Sequence, residues 1–283
     1  MKHIIFSLSA LVLTSTFTPP ASGDVQVAEA SFIKTWVDST LGNSEGSFAM
    51  KRSYNSRSLY QGIFGFGWCS SLESMVIKKT VQYPIPQTYF VQTCGLKDLN
   101  FSKVQRTKKG IRALHKNGDH YLYTLTGQLI QIQSDSHPRL ILKYDLKNRL
   151  SEVRSEKSRW IQFLYAGESA HVQTLITPMN TLSFTYMGDL LLRWQSGEQK
   201  IKLRYDDFDN LIEIRSSQDF EKMTYNDHLD QLISYENSEG CRQQMHYARA
   251  TTTILESCPG QNPEKKNFDI SEFNERMGVL HEN

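Results

Sequence analysis

Leu-Lys-Tyr-Asp-Leu-Lys-Asn-Arg-Leu-Ser at 142–151 returns as Leu-Arg-Tyr-Asp-Asp-Phe-Asp-Asn-Leu-Ile at 203–212 and as Tyr-Leu-Tyr-Thr-Leu-Thr-Gly-Gln-Leu-Ile at 121–130. Each copy sets a leucine six residues after a tyrosine: Tyr144 and Leu150, Tyr205 and Leu211, Tyr123 and Leu129. Working outward, the tyrosines Tyr123, Tyr144, Tyr165, Tyr186, Tyr205, Tyr225 and Tyr247 are separated by 21, 21, 21, 19, 20 and 22 residues. Such a period is the signature of a repeat architecture. Apolar residues alternate before the tyrosine, as in Leu140, Leu142, Tyr144 and Ile201, Leu203, Tyr205, which is the pattern of a half-buried strand. Between tyrosine and leucine stands a residue that tolerates positive φ: Gly127, Asn148, and Asp209 or Asn210. Each unit therefore reads as a β-hairpin. Asp145 and Asp206, directly after the tyrosine, are placed to accept a backbone amide two residues on and so fix the turn. One hairpin is marginal in water, so the units must stack to cover their apolar faces. The spacing predicts an all-β fold, a curled antiparallel sheet of about seven hairpins over 116–258.

The Tyr-Asp-x-x-(Gly/Asn)-x-Leu unit resembles the YD repeat of the Rhs family of bacterial proteins. Upstream, Arg52-Ser-Tyr54-Asn55-Ser-Arg57 followed by Gly62-Ile-Phe64-Gly65-Phe66-Gly67-Trp68 resembles the segment that precedes such repeats in that family. The two features together span roughly residues 30–258. The resemblance implies structural, not catalytic, roles for these residues and an association with toxin systems. In toxin-bearing members many more repeats follow, then an Asp-Pro-x-Gly-type core motif linked to self-cleavage, then a variable toxin. Nothing here matches that motif, so neither self-cleavage nor toxin activity carries over. About 14 strands at roughly 4.8 Å make a sheet on the order of 65 Å wide, expected to curl without closing into the family's full shell.

Taken in order, the chain opens with a secretory signal: a basic start at Lys2-His3, an apolar run Ile4 to Leu13, and a small polar stretch with cleavage expected after Gly23. The apolar run is too short to span a bilayer, no later stretch is apolar enough, and no cysteine follows the cleavage site for a lipid anchor. Residues 24–115 read as a separate β-rich leader. Strands are expected at Ser31–Thr40 and Gly46–Tyr54, then at Ser74–Gln82 and Gln87–Thr93, with a bend at Gly62, Gly65 and Gly67 that buries Phe66 and Trp68. The bend lacks the Gly-x-Gly-x-x-Gly spacing and the Lys-Ser/Thr of phosphate loops. Lys103, Arg106, Lys108, Lys109 and Arg112 lie in a turn-rich stretch before the repeats and read as solvated surface, with an acidic partner as the alternative. Residues 259–283 read as a polar tail or cap, with a short helix over Ile270–Val279 capped by Asp269 or Ser271.

Four cysteines in an exported chain point to disulfides. Three connectivities are open. The local one, Cys69–Cys94 with Cys241–Cys258, is favoured, each bridge clipping one end of the repeat sheet and contributing roughly 3 kcal/mol. Zinc at Cys241, Cys258 and His246 is the alternative, against which stands the absence of paired Cys-x-x-Cys spacing. Thirty-two basic against thirty acidic residues leave no net field to steer toward nucleic acid or membrane. No His-Glu-x-x-His or free-thiol Cys–His set is present. Gly42-Asn43-Ser44-Glu45-Gly46 has the Gly-x-Ser-x-Gly spacing but falls in the turn expected between two strands, not at a strand-to-helix elbow, and no cofactor is expected. The expectation is a non-enzymatic, secreted or periplasmic scaffold that shields or presents a partner polypeptide or makes cell-surface contacts. The runner-up is a carbohydrate-binding or adhesive module using Trp160, Phe163, Phe184 and Trp194. The third reading is a hydrolase with a site built from hairpin loops.

Overall fold

Residues 24–43, 46–79, 88–156, 160–227 and 229–271 are described by the structure, a computed structural model. The expected signal peptide and nearly all of the helix expected at 270–279 lie outside them. Nine strands precede the large sheet. β1 (Asp24–Gln26), β2 (Ser31–Asn43), β3 (Gly46–Asn55) and β6 (Trp68–Ser70) form one antiparallel sheet; β4 (Gln61–Gly62) and β5 (Gly65–Phe66) form a small hairpin beside it. A third sheet holds β7 (Ser74–Lys79), β8 (Thr88–Thr93) and β9 (Leu96–Lys97).

The remaining strands make one antiparallel sheet of 17, in simple sequence order. It begins with β10 (Phe101–Thr107), β11 (Gly110–His115), β12 (His120–Tyr123), β13 (Leu129–Gln133), β14 (Leu140–Tyr144) and β15 (Leu150–Ser155). It continues through β16 (Trp160–Tyr165), β17 (Val172–Ile176), β18 (Thr181–Met187), β19 (Leu190–Ser196), β20 (Gln199–Tyr205) and β21 (Leu211–Arg215). It closes with β22 (Phe220–Tyr225), β23 (Leu232–Asn237), β24 (Arg242–Tyr247), β25 (Thr251–Ser257) and β26 (Glu264–Asp269). β10 and β26 do not pair, so the sheet is open rather than a barrel.

The sheet is longer than the repeats alone require. The basic stretch expected as turns forms the β10–β11 hairpin, and part of the expected tail supplies β26. Ile111 and Ala113 explain the first extension: both are buried on the apolar face, which Arg112 between them does not interrupt because alternate residues point away.

The turns of the three clear copies follow their sequence chemistry. Asp145 Oδ1 accepts the amides of Lys147 and Arg149, each at 2.9 Å, and Asp206 Oδ1 accepts those of Phe208 and Asn210, each at 2.9 Å. Gly127, Asn148 and Asp209 carry the positive φ. Asn210 does not: it is buried, and its amide group bridges Asp206 and Asp230 of the next repeat.

Beside every repeat turn but the one after Tyr247 sits a β-bulge that the sequence did not announce. Tyr144 pairs with Leu150 while Lys143 pairs with Glu152, leaving Ser151 extra. The same shift occurs at Tyr123, Tyr165, Tyr186, Tyr205 and Tyr225. Bulges raise the local twist and so curl the sheet, at the expense of a broken ladder. The tyrosine of the next repeat mends the ladder. Tyr144 donates its hydroxyl to the carbonyl of Leu129 (2.6 Å), Tyr165 to Leu150 (2.8 Å), Tyr186 to Val172 (2.8 Å) and Tyr205 to Leu191 (3.0 Å). Tyr225 donates to Leu211 (3.1 Å) and Tyr247 to Leu232 (2.6 Å). Tyr123 has no earlier repeat to reach and meets Ser74 Oγ of the leader at 2.8 Å. Burial holds these phenols above their ordinary pKa, so they stay protonated and able to donate.

The leader is not a separate unit. Its Phe32, Trp36, Met50, Tyr54, Phe64 and Trp68 share one core with the apolar face of the large sheet. A sheet with one apolar face needs a second layer, and the β2–β3 hairpin supplies it by running across the strands. At one end a Cβ on Gly46 would collide with the Ser136 carbonyl oxygen, and Phe48 meets the ring of His137 at 5.5 Å. At the other, Lys34 Nζ reaches Glu221 Oε1 at 2.7 Å. Thirteen residues of strand extend about 43 Å, and nine strand steps cover about the same, so one long hairpin spans the middle of the sheet.

Both expected disulfides are present. Cys241–Cys258 closes the β24–β25 hairpin, but Cys69–Cys94 ties β6 to the turn after β8 and so joins two leader sheets rather than clipping the repeat sheet.

Candidate functional site

The residues that carry the upstream motif converge where the leader meets the sheet. Arg52 is fully buried, and its Nε and Nη2 each donate to Asp38 at 3.0 Å in a bidentate pair. The guanidinium lies in an aromatic cage: Trp194 at 4.3 Å, Phe184 at 5.0 Å, Trp68 at 5.1 Å, Phe64 at 5.3 Å and Trp36 at 5.7 Å. Its Nη1 has no hydrogen-bond partner, and the rings around the guanidinium offer it cation–π contact instead. Leader and sheet both contribute walls, so the cation fastens one to the other. Burial pushes the Asp38 carboxyl above its ordinary value, and Arg52 only partly offsets that rise.

Around the cage the leader also completes the bulges. Leu211 donates its amide to Tyr54 Oη (3.0 Å), Leu232 to the Ala30 carbonyl (2.9 Å) and Val172 to the Ile63 carbonyl (2.8 Å). Trp68 Nε1 donates to Tyr205 Oη at 3.2 Å. At these bulges the orphan amide is satisfied by the leader and the orphan carbonyl by the next tyrosine, as buried backbone groups demand.

Asn55 anchors the turn after β3, its Oδ1 accepting the Arg57 amide at 2.9 Å and its own amide reaching the Gly67 carbonyl at 3.0 Å. The glycine bend then docks on repeat loops. Phe66 donates its amide to the Asp189 carbonyl at 2.8 Å, and Gly65 at φ 104° allows that approach. His171 is buried between the two, its Nε2 2.8 Å from Asp189 Oδ1 and its Nδ1 3.2 Å from the Gly62 carbonyl. Gly67 has φ 76°, and a Cβ there would stand 2.7 Å from Tyr54 Cε2. Gly67→Val should lower unfolding free energy by more than about 1 kcal/mol through backbone strain and this collision. Gly188→Ala, at φ 58° with open space around it, should cost about 1 kcal/mol or less. Urea melting of the two variants checks the difference.

Glu73 holds the bend from inside. Its carboxylate accepts the Ile63 and Ser70 amides, each at 2.7 Å, and the Tyr60 hydroxyl at 3.2 Å. A Cβ on Gly62 would lie 2.3 Å from the Trp68 carbonyl oxygen and 2.9 Å from Glu73 Oε1, and the backbone collision accounts for that glycine. Burial pushes the Glu73 carboxyl up to about 7, the three donors countering only part of it. The fold thus favours the protonated acid. Stability from this group is full below the unfolded pKa near 4.5 and falls as pH rises through about 7. The loss should be on the order of 3 kcal/mol, and Glu73→Gln should flatten that slope in melts taken between these two values.

The sequence singled out Arg52, Tyr54, Asn55, the three glycines and Trp68, all of which meet at this junction. It did not single out Asp38, Glu73, Asp189 or Glu221, because an acid in a strand pattern carries no mark of burial. Of the aromatics considered for sugar, Phe163, Phe184 and Trp194 are buried in the shared core and Trp160 is half-buried, so they form no exposed row. A cleft of about 250 Å³ lies at the rim between Lys34, Trp36, Asp219, Glu221, Tyr235 and Glu239. There Glu221 is held by Lys34 and by the Tyr235 hydroxyl at 3.1 Å. Among the described residues no group of three or more His, Cys, Asp or Glu is placed to hold a metal ion. No helix among them is long and apolar enough to cross a membrane. The two disulfides fit an extracellular or periplasmic location.

No curated protein matches the chain. Among solved structures, similarity is found to a Photorhabdus luminescens Tc holotoxin pore carrying a TccC3 mutation and to TcdB2–TccC3. Each match is 12% identical with a TM-score of 0.40 and covers 84% of this chain. The chain spans only 18% and 19% of the length of those chains. Residues 23–87, which include the β2–β3 hairpin, the Arg52 cage residues of the leader and the glycine bend, match the family described as a domain of unknown function, DUF6531.

Proposed function

We propose that the protein is a non-enzymatic, extracytoplasmic scaffold that presents a partner polypeptide in a toxin-type system. One observation carries the choice of presenting over shielding: the leader already occupies the apolar face of the sheet. A client enclosed against that face would have to displace the Arg52 cage and the leader's bonds to the bulges. Contact with a partner therefore falls to the other face, the hairpin tips and the open edges. The toxin association rests on the Tyr-Asp repeats and the Arg52-to-Trp68 segment that resemble the Rhs family.

The test is co-export with the product of the adjacent reading frame, followed by light scattering and limited proteolysis. Presentation predicts a defined complex whose partner stays as protease-sensitive as it is alone. A partner protected from protease only in the complex would restore shielding. The absence of any complex would remove this reading.

A further inference from the structure

On the face of the sheet away from the leader, charges alternate in sign from strand to strand. Lys143 faces Glu152 at 3.0 Å, and Arg204, Glu213, Lys222, Glu236 and Arg242 stand opposite one another in that order. The row beside the second of these does not alternate. On β19, β20 and β21 the residues Arg193, Lys202 and Arg215 stand directly opposite one another in register. Like charges so placed destabilise a sheet. They border a depression of about 640 Å³ that Arg204 and Lys222 also line, with Glu213 as its one carboxylate. Glu213 is already committed, accepting from Arg204 Nη1 at 2.9 Å and Arg215 Nε at 2.8 Å. Lys222 has Glu236 opposite on its far side. Arg193 and Lys202 have no carboxylate opposite: their register partners are Thr185, each other and Arg215.

We propose that this depression is a binding site for a linear acidic polysaccharide, whose carboxylate or sulfate groups lie along the row Arg193, Lys202 and Arg215. Adjacent strands are about 4.8 Å apart, so the row offers one cation per strand step. A saccharide chain charged on sugar after sugar presents anions in a comparable series. Arginine's planar fork suits carboxylate and sulfate alike.

Two other polyanions fit less well. β19 to β22 are interior strands with both edges paired, so no acidic peptide adds there by backbone pairing. Single-stranded nucleic acid needs free aromatic faces for its bases. No aromatic ring lines the depression, and Phe220, opposite Arg215 in register, already has Arg215 at 5.6 Å and Lys222 at 5.1 Å over it. The disulfides also fit the compartments where envelope and extracellular saccharides are met.

The experiment is fluorescence anisotropy of the full exported chain at about 50 mM salt, where surface charge is only moderately screened. The probes are a labelled sulfated oligosaccharide, a labelled uronate oligosaccharide and a labelled oligothymidylate of equal charge. One or both saccharides should bind more tightly than the oligonucleotide. Arg193→Ala and Lys202→Ala should each weaken that binding about tenfold, the scale of one charge-assisted contact. Neither touches Glu213, so both should melt like the parent. Lys143→Ala, a cation on the same face opposite a carboxylate, should change binding less than about twofold. Failure of both saccharides to bind, tighter binding of the oligonucleotide, or an equal loss in Lys143→Ala would each overturn the proposal.

Discussion

Arg52→Ala is expected to lower the unfolding free energy by about 3–5 kcal/mol, the cost of breaking a buried ion pair from one side. Asp38 would remain in the core with its side chain 2% exposed and no cation beside it. The five rings around the guanidinium would also lose their filler, so part of the loss is packing. Arg52→Lys keeps the charge but neither the bidentate fork nor the flat face that the rings cover, and should fall between parent and alanine. Joint replacement, Arg52→Met with Asp38→Ala, should recover much of the loss, since an apolar pair leaves no unpaired charge behind. The alanine variant should also lose stability as pH rises, because the fold then favours the protonated form of Asp38 still more strongly. Denaturant melts of these variants at two pH values decide the matter. An alanine variant within about 0.5 kcal/mol of the parent, the range of ordinary surface changes, would show that the cage does not hold the leader to the sheet.

Tyr205→Ala should cost about 2–4 kcal/mol, at the scale of a large-to-small core substitution. Tyr144→Ala should cost a similar amount, and the two should add, because whole repeats separate them. The phenylalanine variants separate ring from hydroxyl. Tyr144→Phe loses one bond, to the Leu129 carbonyl, and should cost about 0.5–1.5 kcal/mol. Tyr205→Phe should cost more, since its hydroxyl serves both the Leu191 carbonyl and Trp68 Nε1. Leaving both unpaired brings the cost toward about 3 kcal/mol. A cycle pairing Tyr205→Phe with Trp68→Phe should show coupling that Tyr144→Phe with Trp68→Phe lacks. Phenylalanine variants that melt like the parent would mean the bulge carbonyls find other partners and the ladder is incidental.

What the sequence determined by itself was everything governed by local periodicity. Alternation around Tyr144 and Tyr205 specifies strands, Asp145 and Asp206 specify turns, and Asn148 marks a left-handed position. The Tyr–Leu spacing then forces the hairpins to stack, because no one of them buries its apolar face alone. The same local rule misplaced the sheet's limits, since the stretch around Lys103 to Arg112 reads as turn-rich until Ile111 and Ala113 find a neighbouring strand. It left the left-handed position open between Asp209 and Asn210; Asp209 takes it, and the Asn210 side chain reaches Asp230 in the next repeat.

Only the tertiary structure decided what covers the sheet and why the tyrosine hydroxyl matters. A bulge leaves one carbonyl and one amide without ladder partners, and no propensity in the sequence reports where they go. They are met by residues 14 or 15 positions later, as in Tyr165 to Leu150, and by residues over 100 positions earlier, as in Tyr54 to Leu211. The leader's place follows from the same cause. An arginine read as part of a motif becomes the centre of the fold once Asp38 and rings from 36 to 194 close around it. Burial of charge depends on which distant surfaces meet, and that is a property of the packed chain, not of any stretch of it.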